Sequence, residues 1–139
     1  MRPIILVNFK TYPQGTGSNA LKLAKLIDDI SKDYQAEFII AVQAIDIEEI
    51  SKNVSIKVFA ENIEDEQQGQ GTGHIIAESV KDAGAVGTLI NHSEYQVGLD
   101  KVESLVKKAK SLKLQTVVCA NDVGIAEIVS KFKPDFIAV

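Results

Sequence analysis

Polar side chains that could carry out electrostatic chemistry follow two apolar segments of the chain. Asn8 and Lys10 come directly after the apolar run at 4–7, and His92 follows the apolar run at 86–90. A lysine in this position supplies a fixed positive charge for an anionic substrate or a developing oxyanion. A neutral histidine can donate a hydrogen bond to a substrate carbonyl. The two clusters therefore predict a site that binds and polarises such a substrate.

The direction of the first cluster follows from strand geometry. Alternate residues of a strand face the same side, so Leu6, Asn8 and Lys10 are predicted to point together toward the mouth of a barrel. Lys10 can equally be interpreted as a solvated residue at a sheet border. We favour an ion pair between Lys10 and Glu94, because an unpaired buried cation would be costly.

The second cluster contains one of the two histidines. His92 is predicted to begin a helical turn, whose backbone N–H groups would favour the neutral imidazole. A lone histidine is more often structural, and His74 is interpreted in that way. The single cysteine, Cys119, lies among strand residues and is predicted to be a packed thiol. Two histidines and one cysteine that lie far apart in the sequence do not predict a metal site.

Strands and helices are predicted to alternate along the whole chain. Short runs rich in β-branched residues predict six strands, at Ile4–Val7, Phe38–Val42, Ile56–Ala60, Gly87–Ile90, Gln115–Cys119 and Phe136–Val139. Amphipathic stripes predict three longer helices, with apolar positions at 21–30, 102–112 and 125–132, and two shorter helices at Asp46–Ser51 and His74–Ala83. Asp100 and Asp122 are candidate N-caps, and Gly84 and Pro134 lie where helices should end.

This alternation predicts one α/β domain of parallel strands, covering residues 1–139. An open doubly wound sheet would usually carry a glycine-rich phosphate turn, and the first turn has no G-x-G-x-x-G pattern. A (βα)8 barrel places its chemistry at the carboxyl ends of several strands, as these clusters do. We therefore predict an incomplete (βα)8 barrel with about six strands and five helices. The polar loop Glu64–Gly73 after the third strand is predicted to be functional.

Composition excludes several classes of protein. Hydrophobic residues make up 45% of the 139 residues and charged residues 24%, as in a globular protein. The net charge of −4, with no dominant basic cluster, argues against a nucleic-acid partner. No run is apolar and long enough to predict a membrane span or signal peptide. The lone cysteine fits a reducing compartment, so a cytoplasmic location is expected.

At these residues the sequence resembles the triose-phosphate isomerase family, particularly its short archaeal form. The resemblance covers the whole chain and is carried by Asn8–Tyr12, Phe59–Asn62, Gly71–His74, Gly87–Glu94, Val117–Cys119 and Pro134–Val139. It implies that Asn8 and Lys10 bind substrate, with Lys10 also stabilising negative charge. It implies that His92 is the neutral electrophile that polarises the carbonyl, and that no cofactor is needed. Glu94 and Thr72 would have supporting roles, Thr72 beside the lysine of a neighbouring subunit.

The resemblance also implies parts that would follow Val139. These are a glutamate acting as general base, a closing lid, and two further strand–helix units with phosphate-binding amides. The chain departs from the family at Glu61, usually a glutamine, which is expected to alter a subunit contact. It departs again at Tyr95 and Gln96, where basic residues are common, so a bracing ion pair is expected to be lost.

The expected function is therefore isomerisation of dihydroxyacetone phosphate and glyceraldehyde 3-phosphate, with a complementary C-terminal polypeptide supplying the base. The alternative is a non-catalytic barrel fragment that serves as a binding or assembly module. A homo- or hetero-oligomer is expected in either case, because the first and sixth strands would be apolar sheet edges.

Overall fold

The structure is a computed structural model that describes residues 2–139. Its strands and helices alternate as predicted. The six strands are β1 (Ile4–Asn8), β2 (Glu37–Val42), β3 (Lys57–Ala60), β4 (Gly87–Ile90), β5 (Gln115–Cys119) and β6 (Phe136–Ala138). The five α-helices are α1 (Ser18–Ser31), α2 (Ile47–Ser51), α3 (Ala77–Asp82), α4 (Leu99–Ser111) and α5 (Val123–Ser130). Short 3₁₀ turns at Pro13–Gly15 and Ala44–Asp46 precede α1 and α2.

Element boundaries differ from the prediction mainly at helix starts. The helix predicted at His74–Ala83 begins only at α3, because residues 71–76 form a turn and a bridge from Ile76 to Glu64. Asp122 caps α5 as predicted, since its side chain accepts a hydrogen bond from the Ile125 N–H. The prediction that Asp100 caps α4 is wrong, because Gly98 occupies that position. The Asp100 carboxylate folds back over Gly98 into the space that a Cβ would fill.

All six strands are parallel, and their order in the sheet is their order in the chain, from β1 to β6. The sheet curls into a half-barrel with the helices on its outside, which confirms the predicted incomplete (βα)8 barrel. Because the strands are parallel, all six carboxyl ends lie at one rim of the half-barrel. Residues that follow β1, β3 and β4 can therefore meet there.

The two faces of the sheet bury different sets of side chains. The outer face packs against the helices, and Ile40, Val42 and Val58 are buried there with Ala20 and Val102. The inner face carries a second cluster drawn only from strands, comprising Ile39, Ala41, Phe59, Leu89 and Val117. Alternation along β2 thus supplies both clusters, as expected for a strand covered on both faces.

Close packing on the inner face depends on one glycine. Phe59 is fully buried, and a Cβ added at Gly87 in the neighbouring strand would lie 2.4 Å from its ring. Gly87 therefore gives the Phe59 ring the space it occupies in the inner cluster.

Two predictions about the rest of the chain concern membranes and Cys119. Within residues 2–139, no helix combines the length and apolar character needed to cross a membrane. Cys119 is the last residue of β5 and is half-buried, and this burial raises the pKa of its thiol. A raised pKa disfavours the thiolate, which agrees with a packed rather than a reactive cysteine.

Candidate functional site

A cavity of about 380 Å³ opens at the carboxyl ends of β1, β3 and β4. It is lined by Asn8, Lys10, Thr11, Glu61, Asn62, His92, Glu94 and Tyr95. The structure therefore brings together four of the five predicted site residues. The fifth, Thr72, lies exposed in the loop after β3 and does not line this cavity.

Asn8 and Lys10 reach the cavity through a turn rather than through strand alternation alone. β1 ends at Asn8, and the side-chain oxygen of Asn8 accepts a hydrogen bond from the Lys10 N–H at 3.0 Å. Lys10 has a φ of 51°, in the left-handed region that non-glycine residues seldom adopt. The Asn8 side chain thus fixes the turn that directs Lys10 into the cavity.

The predicted contact between Lys10 and Glu94 is present. Lys10 Nζ lies 3.1 Å from Glu94 Oε1, and this hydrogen bond raises the pKa of Lys10. The reason given for the pair was wrong, because 33% of the Lys10 side chain and 57% of the Glu94 side chain are exposed. Water solvates both charges, so the pair fixes the direction of the ammonium rather than compensating for its burial.

His92 is held by the backbone of its own turn. Its Nδ1 accepts a hydrogen bond from the Glu94 N–H at 3.2 Å, while Glu94 Oε2 lies 3.5 Å from the same nitrogen. A neutral imidazole that accepts at Nδ1 carries its hydrogen on Nε2. The tautomer assigned from this hydrogen bond can therefore donate from Nε2.

The helical turn predicted at His92 is wrong. A single turn is closed by a hydrogen bond from the Tyr95 N–H to the His92 carbonyl at 2.8 Å, and the next helix begins at Leu99. His92 therefore does not lie at a helix N-terminus. The hydrogen bond from the Glu94 N–H to Nδ1 orients the ring.

Asn91 holds the segment after β4 in place, a role that was not predicted for it. Its φ is 61°, and its side chain bridges two neighbouring segments. Asn91 Nδ2 donates to the Cys119 carbonyl at 2.9 Å, and Asn91 Oδ1 accepts from the Val97 N–H at 2.9 Å. An asparagine directly after a strand is the available signal, since asparagine tolerates the left-handed conformation.

Glu61 lies in the cavity, which the sequence did not predict. It is the first residue after β3, and Lys10 and His92 are each the second residue after β1 and β4, so its place just past a strand is the signal that was missed. Burial raises the pKa of Glu61 to about 7. The nearby Lys10 N–H opposes the shift, and the carboxylates of Glu94 and Asp46 add to it. The expectation that Glu61 alters a subunit contact remains a prediction.

Tyr95 and Gln96, where an ion pair was expected to be lost, are held by hydrogen bonds instead. The Tyr95 hydroxyl donates to Glu64 Oε1 at 2.7 Å, and Gln96 Nε2 donates to Asn121 Oδ1 at 2.8 Å. His74 Nδ1 lies 2.7 Å from the other Glu64 oxygen, outside the cavity. The structural interpretation of His74 agrees with this contact, which ties the loop after β3 to Tyr95.

The described residues, 2–139, contain no group of three histidine, cysteine, aspartate or glutamate side chains that could hold a metal ion. The lining of the cavity supplies an ammonium, an imidazole, amides and carboxylates. These groups can bind an anion and polarise a carbonyl.

Comparison with known proteins identifies the family from the sequence. The family model for triosephosphate isomerase matches residues 3–130. Triosephosphate isomerase of Methanothermus fervidus is 42% identical over 138 residues, which is 99% of this chain and 62% of that protein. Triosephosphate isomerase of Methanobacterium bryantii is 44% identical over 137 residues, covering 99% of this chain and 61% of that protein.

The fold likeness extends to a distant solved structure. The crystal structure of triosephosphate isomerase from Bartonella henselae superposes with a TM-score of 0.75 at 19% identity, over 99% of this chain and 66% of that one. The chain spans about 62% of the length of the archaeal relatives it matches. It belongs to the triosephosphate isomerase family and corresponds to the N-terminal part of its members.

Proposed function

We propose that this chain is the N-terminal part of a triosephosphate isomerase that interconverts dihydroxyacetone phosphate and glyceraldehyde 3-phosphate. The observation that carries the proposal is the meeting of Lys10 and His92, with Asn8, in one cavity at the carboxyl ends of β1 and β4. No cofactor is required for this reaction, because it moves a proton between adjacent carbons without net oxidation.

Lys10 and His92 have complementary roles in this proposal. As the proton leaves the first carbon, negative charge develops on the carbonyl oxygen of the substrate. His92 Nε2–H donates a hydrogen bond to that oxygen, and the Lys10 ammonium stabilises the charge. The Asn8 side chain holds the Lys10 turn and contributes to substrate binding.

A general base, a lid and phosphate-binding amides complete the proposed enzyme. We assign them to a C-terminal segment corresponding to the remaining part of the archaeal relatives, present on the same or a separate polypeptide. The chain alone then lacks a group that accepts the proton. A positioned base typically contributes about 10²- to 10⁴-fold to the rate, so residues 1–139 alone are expected to be inactive.

Thr72 is proposed to act between subunits. It is exposed in the loop after β3, and that loop is tied to Tyr95 at the cavity through Glu64. In a homo- or hetero-oligomer, an exposed threonine can reach the lysine of a neighbouring subunit. Cross-linking of a Thr72→Cys variant to the neighbouring subunit would test this contact.

A chimera tests the proposed activity. Residues 1–139 would be followed by the C-terminal segment of the Methanothermus fervidus relative, and isomerisation would be assayed with and without that segment. His92→Asn and Lys10→Ala should each lower kcat by about 10²- to 10³-fold. His74→Asn and Lys32→Ala are matched controls that lie outside the cavity and should change kcat little.

Two results would contradict the proposal. A folded chimera without isomerase activity would favour the alternative, a non-catalytic binding or assembly module. Equal losses in His74→Asn and His92→Asn would show that the site residues are assigned wrongly.

A further inference from the structure

Glu61 has one carboxylate oxygen that is buried and lacks a hydrogen-bond donor. Oε1 has essentially no exposed surface and no partner among the described residues. The backbone N–H of Glu61 donates to the Val42 carbonyl at 3.1 Å, which fixes the start of this segment beside the cavity. A buried acceptor without a donor is costly when the carboxylate is ionised, because it has lost water without a replacement.

The charged groups facing Glu61 do not neutralise it. Lys10, from the turn after β1, is paired with Glu94 at 3.1 Å. Asp46, before α2, and Glu94, after β4, are both carboxylates that raise the pKa of Glu61. Among residues 2–139, none of the ion pairs includes Glu61, and His92 and Tyr95 complete the lining on the β4 side.

The protonated form of Glu61 is therefore populated near neutral pH. Burial is the largest cause that raises its pKa to about 7. When Glu61 is ionised, the cavity holds two carboxylates and one ammonium, and an anion meets net repulsion. When it is protonated, one carboxylate and one ammonium remain, and Glu61 gains an O–H donor.

We propose that Glu61 makes anion binding in this cavity proton-linked, donating a hydrogen bond to an oxyanion ligand when protonated and repelling the ligand when ionised. The inference rests on the proposed function, because the triose-phosphate substrate is such an oxyanion. Glu61 is then a specificity-determining residue, because the cavity binds an anion more tightly when the Glu61 carboxyl carries a proton. The proton is taken up from solvent as the anion enters and is released as the anion leaves.

Sulfate titration of the 139-residue chain tests this linkage without turnover. Sulfate keeps the same charge near neutral pH, so any pH dependence of its affinity comes from the protein. With one group titrating near 7, the sulfate affinity of the unmodified chain should fall about tenfold from about pH 6 to about pH 8. Calorimetry in two buffers with different ionisation enthalpies should show proton uptake at about pH 7.

Glu61→Gln is the informative variant, because it keeps the shape of the side chain and removes its titration. It should bind sulfate at the higher pH about as tightly as the unmodified chain does at the lower pH. Glu49→Gln makes the same change of charge on an exposed face of α2 and should keep the pH dependence. Repeating the sulfate titrations, with and without Glu61→Gln, in a His92→Asn background removes any contribution of the imidazole.

A direct measurement covers the case in which Glu61→Gln does not fold. Carbon NMR of the Glu61 carboxyl should give a pKa that rises when sulfate is added. The proposal is overturned by an unchanged pH dependence in folded Glu61→Gln, by an ordinary carboxyl pKa for Glu61, or by the absence of sulfate binding at every pH. An inactive chimera would overturn the isomerase proposal and leave this linkage standing.

Discussion

Glu94 Oε1 lies 3.1 Å from Lys10 Nζ, so this contact joins the ends of β1 and β4 across the two strands between them. The same glutamate donates its backbone N–H to His92 Nδ1 at 3.2 Å. One residue therefore orients both the ammonium and the imidazole of the candidate site. Substitutions at Glu94 should affect both groups.

The first prediction concerns the pKa of Lys10. Glu94→Gln removes the carboxylate that raises it, so the pKa should move down toward the ordinary lysine value of 10.5. NMR titration of the Lys10 ammonium would measure the change. Glu103→Gln is a matched control, since Glu103 pairs with Lys107 at 2.7 Å on α4 and lies outside the cavity. An unchanged Lys10 pKa in Glu94→Gln would show that the two side chains are separate in solution.

The second prediction concerns the dependence of stability on pH. The pKa of Glu61 is about 7 in the folded chain and close to its ordinary 4.5 in the unfolded chain. Its contribution to stability is therefore complete below about pH 4.5 and is lost as the pH rises through about 7. After allowing for solvent screening, the loss should be about 1–2 kcal/mol.

Urea unfolding of the unmodified chain and Glu61→Gln would measure this loss. The advantage of Glu61→Gln in free energy of unfolding should be larger by about 1–2 kcal/mol at about pH 8 than at about pH 5. Glu49→Gln should show no such difference between the two pH values. A constant advantage of Glu61→Gln would mean that Glu61 titrates normally.

The third prediction concerns Asp28 on α1, which is 9% exposed. Its Oδ1 accepts hydrogen bonds from the Ser55 N–H at 2.9 Å, the Ser55 hydroxyl at 2.6 Å and the Ile56 N–H at 3.0 Å. Asp28→Ala leaves these donors without their acceptor, so the free energy of unfolding should fall by about 1–3 kcal/mol. Asp29→Ala, at the exposed neighbouring position, should change it by less than about 0.5 kcal/mol. Equal effects in thermal or urea unfolding would contradict the structure.

Asp28 also makes the stability of the chain depend on pH in the acid range. Burial alone would raise the pKa of Asp28, but the hydrogen bonds from Ser55 and Ile56 and the charge of Lys32 lower it below 3.8. Its contribution to stability is present above about pH 3.8 and is lost as the pH falls through the lower pKa of the folded chain. The difference in free energy of unfolding between the unmodified chain and Asp28→Ala should therefore disappear in strong acid.

The fourth prediction concerns the two sheet edges. β1 and β6 each pair with one strand, and Ile5 and Ile137 are 41% and 36% exposed there. Apolar edges of this kind template association, so the 139-residue chain should self-associate at micromolar concentration in sedimentation velocity. Ile5→Lys combined with Ile137→Lys should reduce this association. Ile45→Lys, at a position that is 86% exposed and lies outside the strands, is the matched control.

A compact monomer of the unmodified chain would contradict that prediction. Equal reductions in the double variant and in Ile45→Lys would show that general hydrophobicity, rather than the strand edges, drives association.

Sequence periodicity was sufficient to predict the strands and the longer helices. Buried parallel strands such as β2 are apolar on both faces, and α4 carries a regular apolar stripe, so both have strong local signals. The start of α4 was missed because Gly98 and Asp100 are both acceptable near a helix N-terminus.

The site was predictable where residue type and strand position agreed. Lys10 and His92 satisfy both criteria. Glu61 did not stand out, because its pKa depends on burial and on the carboxylates of Asp46 and Glu94, which are distant from it in the sequence. The turn at Lys10 was missed because its left-handed φ depends on a hydrogen bond that the Lys10 N–H donates to the side-chain oxygen of Asn8, two residues earlier.

The strands have the same order in the sheet as in the chain, and this has a consequence for folding during synthesis of the polypeptide. Each new strand adds to the edge formed by the strand made just before it, so the sheet can grow as the polypeptide leaves the ribosome. Lys10, Glu61 and Glu94 follow β1, β3 and β4, and every residue that lines the cavity has been made once the chain reaches Tyr95. The nascent chain can therefore bring these residues together before β5 is made, and the hydrogen bond from Asn91 to the Cys119 carbonyl forms when β5 joins the sheet.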